Sequence, residues 1–414
     1  MLSLRDRFIA LDRLLTQLRP FWQLRPFALK ELPWHQHQSL HHWLQTLDLS
    51  ACEALERDDQ LRAENLASFI DAALPLHAHS QLPEAPTQEM AAYSASTDTL
   101  PARLSYHVPG RKWEQIRAFD QALRPAGEQW LEWCAGKGHL GRLLAFRHQR
   151  PVLSLEWQHT LCNQGQHLAD ALKLDCRMQP QDVMAPATTA RLHPRQHAVA
   201  LHACGKLHLR LLRLASEQRL AGVTLSPCCY HLIDEEHYHP LSDSARISRL
   251  QLSRQDLKLA LQDTVTAGAR ERRLRQRELA WRLGFDLLQR QLRGEDSYLP
   301  CPSAPKSQLS GGFEDYCRWM AARKQLRLPD AIDYAEFEQQ GRQRVLTVTR
   351  IELVRNLFRR PLELWLALDR ALYLQERGYQ VTLSEFCDYQ LTPRNLLIQA
   401  IRRDEPAPPR AAGQ

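Results

Sequence analysis

The sequence predicts an α/β chain built on a Rossmann-like, doubly wound and mainly parallel sheet with helices on both faces. A helical region precedes the sheet, and a helical insertion interrupts it before the last two strands. Three observations predict this. Between residues 110 and 232, short apolar runs alternate with runs of helical spacing. The first apolar run ends in a turn rich in small residues, Cys134-Ala-Gly-Lys-Gly138. Two late apolar runs, Tyr379 to Phe386 and Asn395 to Arg402, lie close enough for a hairpin that closes the sheet's edge.

Residues 1–80 read as helical, because Phe8, Leu11, Leu14, Leu15 and Leu18 recur at three- and four-residue steps. Pro20 and Pro26 break the pattern, and a further helix starts near His35. Phe21, Trp22, Trp34 and Trp43 read as core anchors rather than base-stacking platforms. Residues 81–105 read as a linker, since composition from Ser80 to Thr99 shifts to Ser, Thr, Ala, Pro and Gln. The α/β domain spans 106–402. Its strands are expected near 130–134, 152–156, 175–178, 197–202 and 222–226, with helices over 113–123, 139–149, 158–172 and 206–218. The insertion covers about 233–350 and holds a long helical stretch at 252–293. A loop marked by Pro300, Pro302, Pro305 and Gly311-Gly312 follows, then a helix around 313–324. A helix over 361–377 leads into the late strands, and the Pro/Ala-rich tail at 403–414 is expected to be disordered.

At 414 residues the chain exceeds one typical core. No run of eighteen apolar residues exists, which excludes a membrane span, and the first residues lack a secretory apolar region. The ten cysteines have no framework spacing and read as reduced thiols of a cytoplasmic protein. The net charge of +7 fits an anionic partner such as RNA but is too mild to show one.

The small-residue turn carries the most chemistry. Glycine permits positive φ and has no Cβ to collide with a ligand, so Gly136 and Gly138 let a ribose or a methionine moiety approach the backbone. Two cofactor classes use such a turn. Gly136-x-Gly138-x-x-Gly141 matches the dinucleotide fingerprint, which would imply an NAD-dependent oxidoreductase. Glu132-x-Cys134-x-Gly136-x-Gly138 matches a methyl-donor fingerprint. A carboxylate in the turn suits a cationic ammonium and disfavours a diphosphate, so Glu132 favours S-adenosylmethionine. Glu156 closes the second run, where a carboxylate accepts both hydrogen bonds from a ribose diol, and Asp182 follows the third, within reach of an adenine amino group.

The fourth and fifth runs end in Leu201-His-Ala-Cys-Gly205 and Ser226-Pro-Cys-Cys-Tyr-His231. His202, Cys229, Tyr230 and His231 are the candidate catalytic residues, with Cys204 lining the same pocket. His231 or Tyr230 could orient or deprotonate an acceptor. The thiols could instead be small buried groups packing a strand end. No metal is expected, because adjacent cysteines chelate one tetrahedral ion poorly and no CxxC pair exists. In the insertion, Arg270, Arg272, Arg273, Arg275 and Arg277 form either a solvated face with Glu271 and Glu278 or a phosphate-contacting one.

Together, Glu132-Trp-Cys-Ala-Gly-Lys-Gly-His-Leu-Gly141, Leu201-His-Ala-Cys-Gly205 and Ser226-Pro-Cys-Cys-Tyr-His231 resemble the class I methyltransferase domain of the methyltransferase-like 25 group. They are also similar to the related tRNA acceptor-stem 2′-O-methyltransferases. Val108 to Ile116 resembles the Lys-containing helix start that precedes the cofactor turn there, and Leu391 to Ile398 the closing strand. The resemblance covers roughly 106–260 and 360–402. It implies S-adenosylmethionine held by Glu132, Cys134, Gly136, Gly138 and Glu156, with His202 at the pocket; Ala135 of the turn and Asp182 complete the expected cofactor contacts. Leu201 departs from the Lys of the tRNA enzymes, Tyr230 departs from their first His, and no Cys/His-rich finger precedes the domain. The expected activity is methyl transfer to an acceptor, RNA (tRNA included) before protein. The rivals are an NAD-dependent oxidoreductase and a non-catalytic RNA-binding protein on the same fold.

Overall fold

Seven strands form one sheet: β1 (Gln129–Trp133), β2 (Val152–Glu156), β3 (Cys176–Pro180), β4 (Gln196–Ala200), β5 (Gly222–Leu225), β6 (Tyr379–Glu385) and β7 (Leu396–Arg402). The structure, a computed structural model, describes residues 2–86, 100–261 and 269–403. The first five strands are parallel in the order β3-β2-β1-β4-β5, and β7 then β6 complete the sheet antiparallel. The central strands are buried nearly throughout, polar Glu132, Gln196 and His197 included, as expected where helices cover both faces.

The late hairpin forms, and β7 rather than β6 joins β5. Burial explains the choice. Leu396, Leu397, Ile398 and Ala400 of β7 are fully enclosed, whereas β6 mixes buried Tyr379, Leu383 and Ser384 with half-buried and exposed positions and takes the edge. The helix expected over 361–377 is Arg359–Gln375.

The chain divides into two compact units. The described residues of 1–16, 79–262 and 362–414 make the sheet unit; those of 17–78 and 263–361 make a helical unit. The sequence kept the N-terminal helices apart from the insertion, but long-range contacts join them. Trp22 stacks on Phe358 at 6.4 Å between ring centroids, and Arg344 donates to the carbonyls of Phe27 and Leu29. No periodicity along a chain reports such pairing.

Helix Tyr334–Asn356 was not anticipated. Its polar first half hides the pattern, although Asp333 caps it by accepting from Glu336 N–H at 2.9 Å. Gly341 permits its close crossing with Ala269–Arg293, since a Cβ there would stand 2.4 Å from the Ala280 carbonyl. Between these helices Asp286 is buried against Arg290 at 3.0 Å and Arg344 at 2.8 Å. All but Arg403 of the expected tail at 403–414, and residues 87–99 of the linker, lie outside the described residues. No helix among the described residues is long and apolar enough to cross a membrane.

In the sheet unit, one face is closed by helices Gly110–Ala122 and His139–His148, which pack Phe119, Leu140 and Leu143 on Trp130 and Val152. On the other face, Trp133 Nε1 donates to the Leu207 carbonyl in helix Lys206–Glu217. Strand order reverses between β1 and β4. The crevice beyond their carboxyl ends is the topological switch point of such a sheet, where ligands bind.

Candidate active site

The turn after β1 is left-handed at alternate residues: Cys134 has φ +57°, Gly136 +60° and Gly138 +64°. Ala135 N–H donates to the Leu155 carbonyl and Gly138 N–H to the Ala135 carbonyl, which locks the loop onto β2. A Cβ on Gly136 would meet nothing within 4 Å, so open space lies over the backbone there. Gly138 differs, since a Cβ on it would press 2.8 Å from the Met178 sulfur. Burial pushes the Cys134 thiol up to about 12, which keeps it neutral.

Glu156 borders the open space. Its Oε2 accepts from Gly136 N–H at 2.9 Å and its Oε1 from Gln158 N–H at 3.0 Å. A carboxylate has about four acceptor positions, so each oxygen can take a further donor. Asp182 is exposed after β3; its Oδ1 accepts from Met184 N–H at 2.9 Å.

Glu132 is placed differently from the expectation. It is 4% exposed and turned under the first helix turn, where Oε2 accepts from Ser154 Oγ at 2.7 Å and the Gly141 amide also donates to its carboxyl. The cause is strand alternation. Glu132 shares the helix-covered face with Trp130 and pairs in register with Ser154, whereas Leu131 and Trp133 face the other way. Burial pushes its carboxyl up to about 7 against the opposing pull of Ser154, Gly141, Arg142 and Lys112. Glu132 thus stands beneath the turn and offers no carboxylate to the open space above it.

Beyond β4 and β5, the strand ends are stitched together. Ser226 N–H donates to the Ala200 carbonyl at 3.0 Å and Gly205 N–H to the Cys228 carbonyl at 3.1 Å. His202 is exposed, though surrounding protein and Lys112 lower its imidazolium pKa. Cys204 and Cys229 are half-buried and Cys228 buried, with the Cys204 and Cys228 sulfurs 3.6 Å apart. The hydrogen bonds of Cys204 and Cys228 to Cys229 favour its thiolate, and the nearby His231 and Arg394 add to this. His231 is half-buried, and burial lowers its pKa.

Tyr230 stands apart from this group. It is fully buried, with the Arg370 guanidinium 4.8 Å from its ring centroid. Arg370 Nε also donates to His208 Nε2 at 2.8 Å. An aromatic ring enclosed against an arginine supports the strand end and does not present its hydroxyl to an acceptor.

Trp157, which no motif in the sequence singles out, and Lys112, the lysine of the helix start between Val108 and Ile116, belong to this edge. Trp157 follows Glu156 directly and is 68% exposed, unusual for so large an apolar surface. Its position after the strand-end acid was the signal available. Lys112 is exposed, and its charge acts on Glu132, His139 and His202 alike, which places an ammonium near the turn.

The arginines proposed for phosphate contact belong to the helical unit. Arg273, Arg275 and Arg277 are exposed, although Arg275 pairs with Glu271 at 3.3 Å and Arg277 donates to the Leu309 carbonyl at 2.8 Å. The side chains of Arg270 and Arg272 lie outside the described residues.

Residues 111–236 match the model of a family described as a methyltransferase domain. Among solved structures, a tRNA (uracil-54, C5)-methyltransferase of Pyrococcus abyssi in complex with S-adenosyl-L-homocysteine is similar at 13% identity and TM-score 0.23, over 27% of this chain and 27% of that chain. A geranyl diphosphate methyltransferase in complex with GPP and sinefungin gives 13% and 0.23, over 28% of this chain and 44% of that chain. An rRNA methylase from Streptococcus thermophilus gives 10% and 0.22, over 29% of this chain and 73% of that chain. The likeness thus spans less than half of either of the first two. The matched domain and the mixed seven-stranded sheet make this a Rossmann-like methyltransferase fold.

Proposed function

We propose that the chain is an S-adenosylmethionine-dependent methyltransferase that acts on an RNA acceptor. The observation that carries the reading is the open space over Gly136 at the switch point, bordered by the Glu156 carboxylate, within residues that match a methyltransferase domain. The sheet supports it against the dinucleotide reading. A Rossmann dinucleotide fold runs in the order 3-2-1-4-5-6, whereas here an antiparallel β7 lies between β5 and β6.

S-adenosylmethionine supplies a methyl group on a sulfonium, which a correctly aligned nucleophile takes by direct displacement. The chain's own residues align the partners. Cys134 to Gly138 admit the methionine and ribose portions, with Ala135 as a backbone contact. Glu156 would accept from the ribose hydroxyls, and Trp157 and Asp182 would serve the adenine. Lys112 would attract the methionine carboxylate, and Glu132 holds the turn from beneath. His202 and His231 are the proton acceptors at the acceptor's side, with Cys229 beside them. An RNA acceptor fits the net charge of +7 and the exposed Arg273, Arg275 and Arg277.

Calorimetry with S-adenosylhomocysteine and with NADH tests the cofactor; binding of NADH alone overturns the reading. Incubation with labelled S-adenosylmethionine and a cell lysate tests the acceptor, and nuclease is expected to release the label. Release by protease instead moves the acceptor to protein. Cofactor binding with no labelled macromolecule makes the chain a non-catalytic binding module.

A further inference from the structure

Three cysteines from two loops meet beyond β4 and β5. The sulfurs of Cys204, Cys228 and Cys229 all lie within 4.8 Å of one another, and those of Cys204 and Cys228 are 3.6 Å apart. Two tetrahedral zinc–sulfur bonds of about 2.3 Å put their sulfurs about 3.8 Å apart, whereas a disulfide needs about 2.0 Å. The closest pair therefore has the spacing of thiolates sharing an ion.

The backbone enforces this meeting. Cys204 and Cys228 form a parallel bridge between the strand ends. Cys229 has φ +49°, a conformation an L side chain rarely adopts, which brings adjacent thiols into one cluster. The Cys229 carbonyl accepts from Leu232 N–H at 2.9 Å, and the Leu232 carbonyl accepts from Lys206 N–H at 2.8 Å. Gly205, at φ +53°, lets the loops approach, because a Cβ there would stand 2.2 Å from the Leu232 carbonyl. Backbone strain held by such surroundings is typical of ligand clamps. The left-handed Cys229 and a third thiol, Cys204 from the loop after β4, let adjacent cysteines share one ion.

We infer that Cys204, Cys228 and Cys229 form a three-thiolate site for one soft divalent cation of the zinc type. An all-sulfur donor set selects zinc over the oxygen-seeking magnesium and calcium. Three protein ligands leave a fourth position to water or another donor. The inference goes beyond the proposed methyl transfer and stands or falls without it.

The full chain, purified with reductant and without a metal-affinity column, is expected to carry about one zinc per molecule by atomic emission. Cobalt(II) replacing the zinc should show a thiolate-to-cobalt charge-transfer band. Cys204→Ser and Cys228→Ser should each weaken binding beyond the roughly 10–100-fold cost of losing an outer-sphere partner. Cys301→Ser, in the other unit, should leave it unchanged. Because a strand-end variant could misfold, unaltered protein supplies a second readout: zinc should slow alkylation of Cys204 and Cys229, mapped by mass spectrometry. Cobalt bound without the band, alkylation unaffected by zinc, or a Cys204–Cys228 disulfide in reductant-treated protein each overturns the site.

Discussion

The turn after β1 and the paired ends of β4 and β5 flank one crevice, yet they are made of different material. The turn offers backbone: left-handed glycines, amide groups and an empty volume over Gly136, with one carboxylate borrowed from β2. The strand ends offer side chains, namely His202, three thiols and His231, held by carbonyl bonds between loops. A site made of absent atoms is damaged by adding atoms, whereas a site made of side chains is damaged by removing them. The two therefore predict opposite sensitivities to substitution.

The largest effect is expected for Gly136→Val. A branched side chain would enter the cofactor volume and resist φ +60°, so S-adenosylhomocysteine affinity should fall by roughly 100-fold or more by calorimetry. Metal content at the strand ends should be unaffected. Equal affinity in the variant would place the cofactor elsewhere.

Glu156→Gln should weaken S-adenosylhomocysteine by about tenfold to a hundredfold, the scale of hydrogen bonds to a charged group. Its bonds to Gly136 and Gln158 are local, so the thermal midpoint checks that the turn survives.

Glu132→Gln should act mainly on stability, with a defined pH signature. The Glu132 carboxyl is pushed from 4.5 up to about 7, so between those values the folded chain holds a proton that the unfolded chain has released. Its contribution is whole below about pH 4.5 and is lost as pH rises through about 7, by up to about 3 kcal/mol. His139, His197 and His208, pushed by burial from 6.5 to about 3, act in the opposite direction, losing stability as pH falls below about 6.5. Urea unfolding of both proteins at several pH values isolates Glu132 as the difference. A difference that does not change with pH would mean that its carboxyl is not held buried as described.

Much of the sheet was legible because its signals are local. Apolar runs ending at Trp133, Glu156 and Leu225 marked strands to within a few residues, and Gly136 and Gly138 stand in the left-handed conformations their identity permits. Glu132 escapes sequence spacing, which places a residue along a strand without saying whether its side chain leans toward a ligand or under a helix. Tyr230 read as a site residue by its neighbours, yet Arg370, 140 positions away, encloses it. The thiol cluster is hidden in the sequence because a left-handed cysteine cannot be read from two adjacent letters.

By itself the sequence determined the α/β rhythm, the open glycine turn and the acids at the strand ends, all consequences of local backbone preference and apolar periodicity. Tertiary structure decided which acid borders the crevice, which late strand enters the sheet and which thiols meet. Those outcomes depend on register and on contacts between distant segments, where a shift of one position reverses the face a side chain occupies.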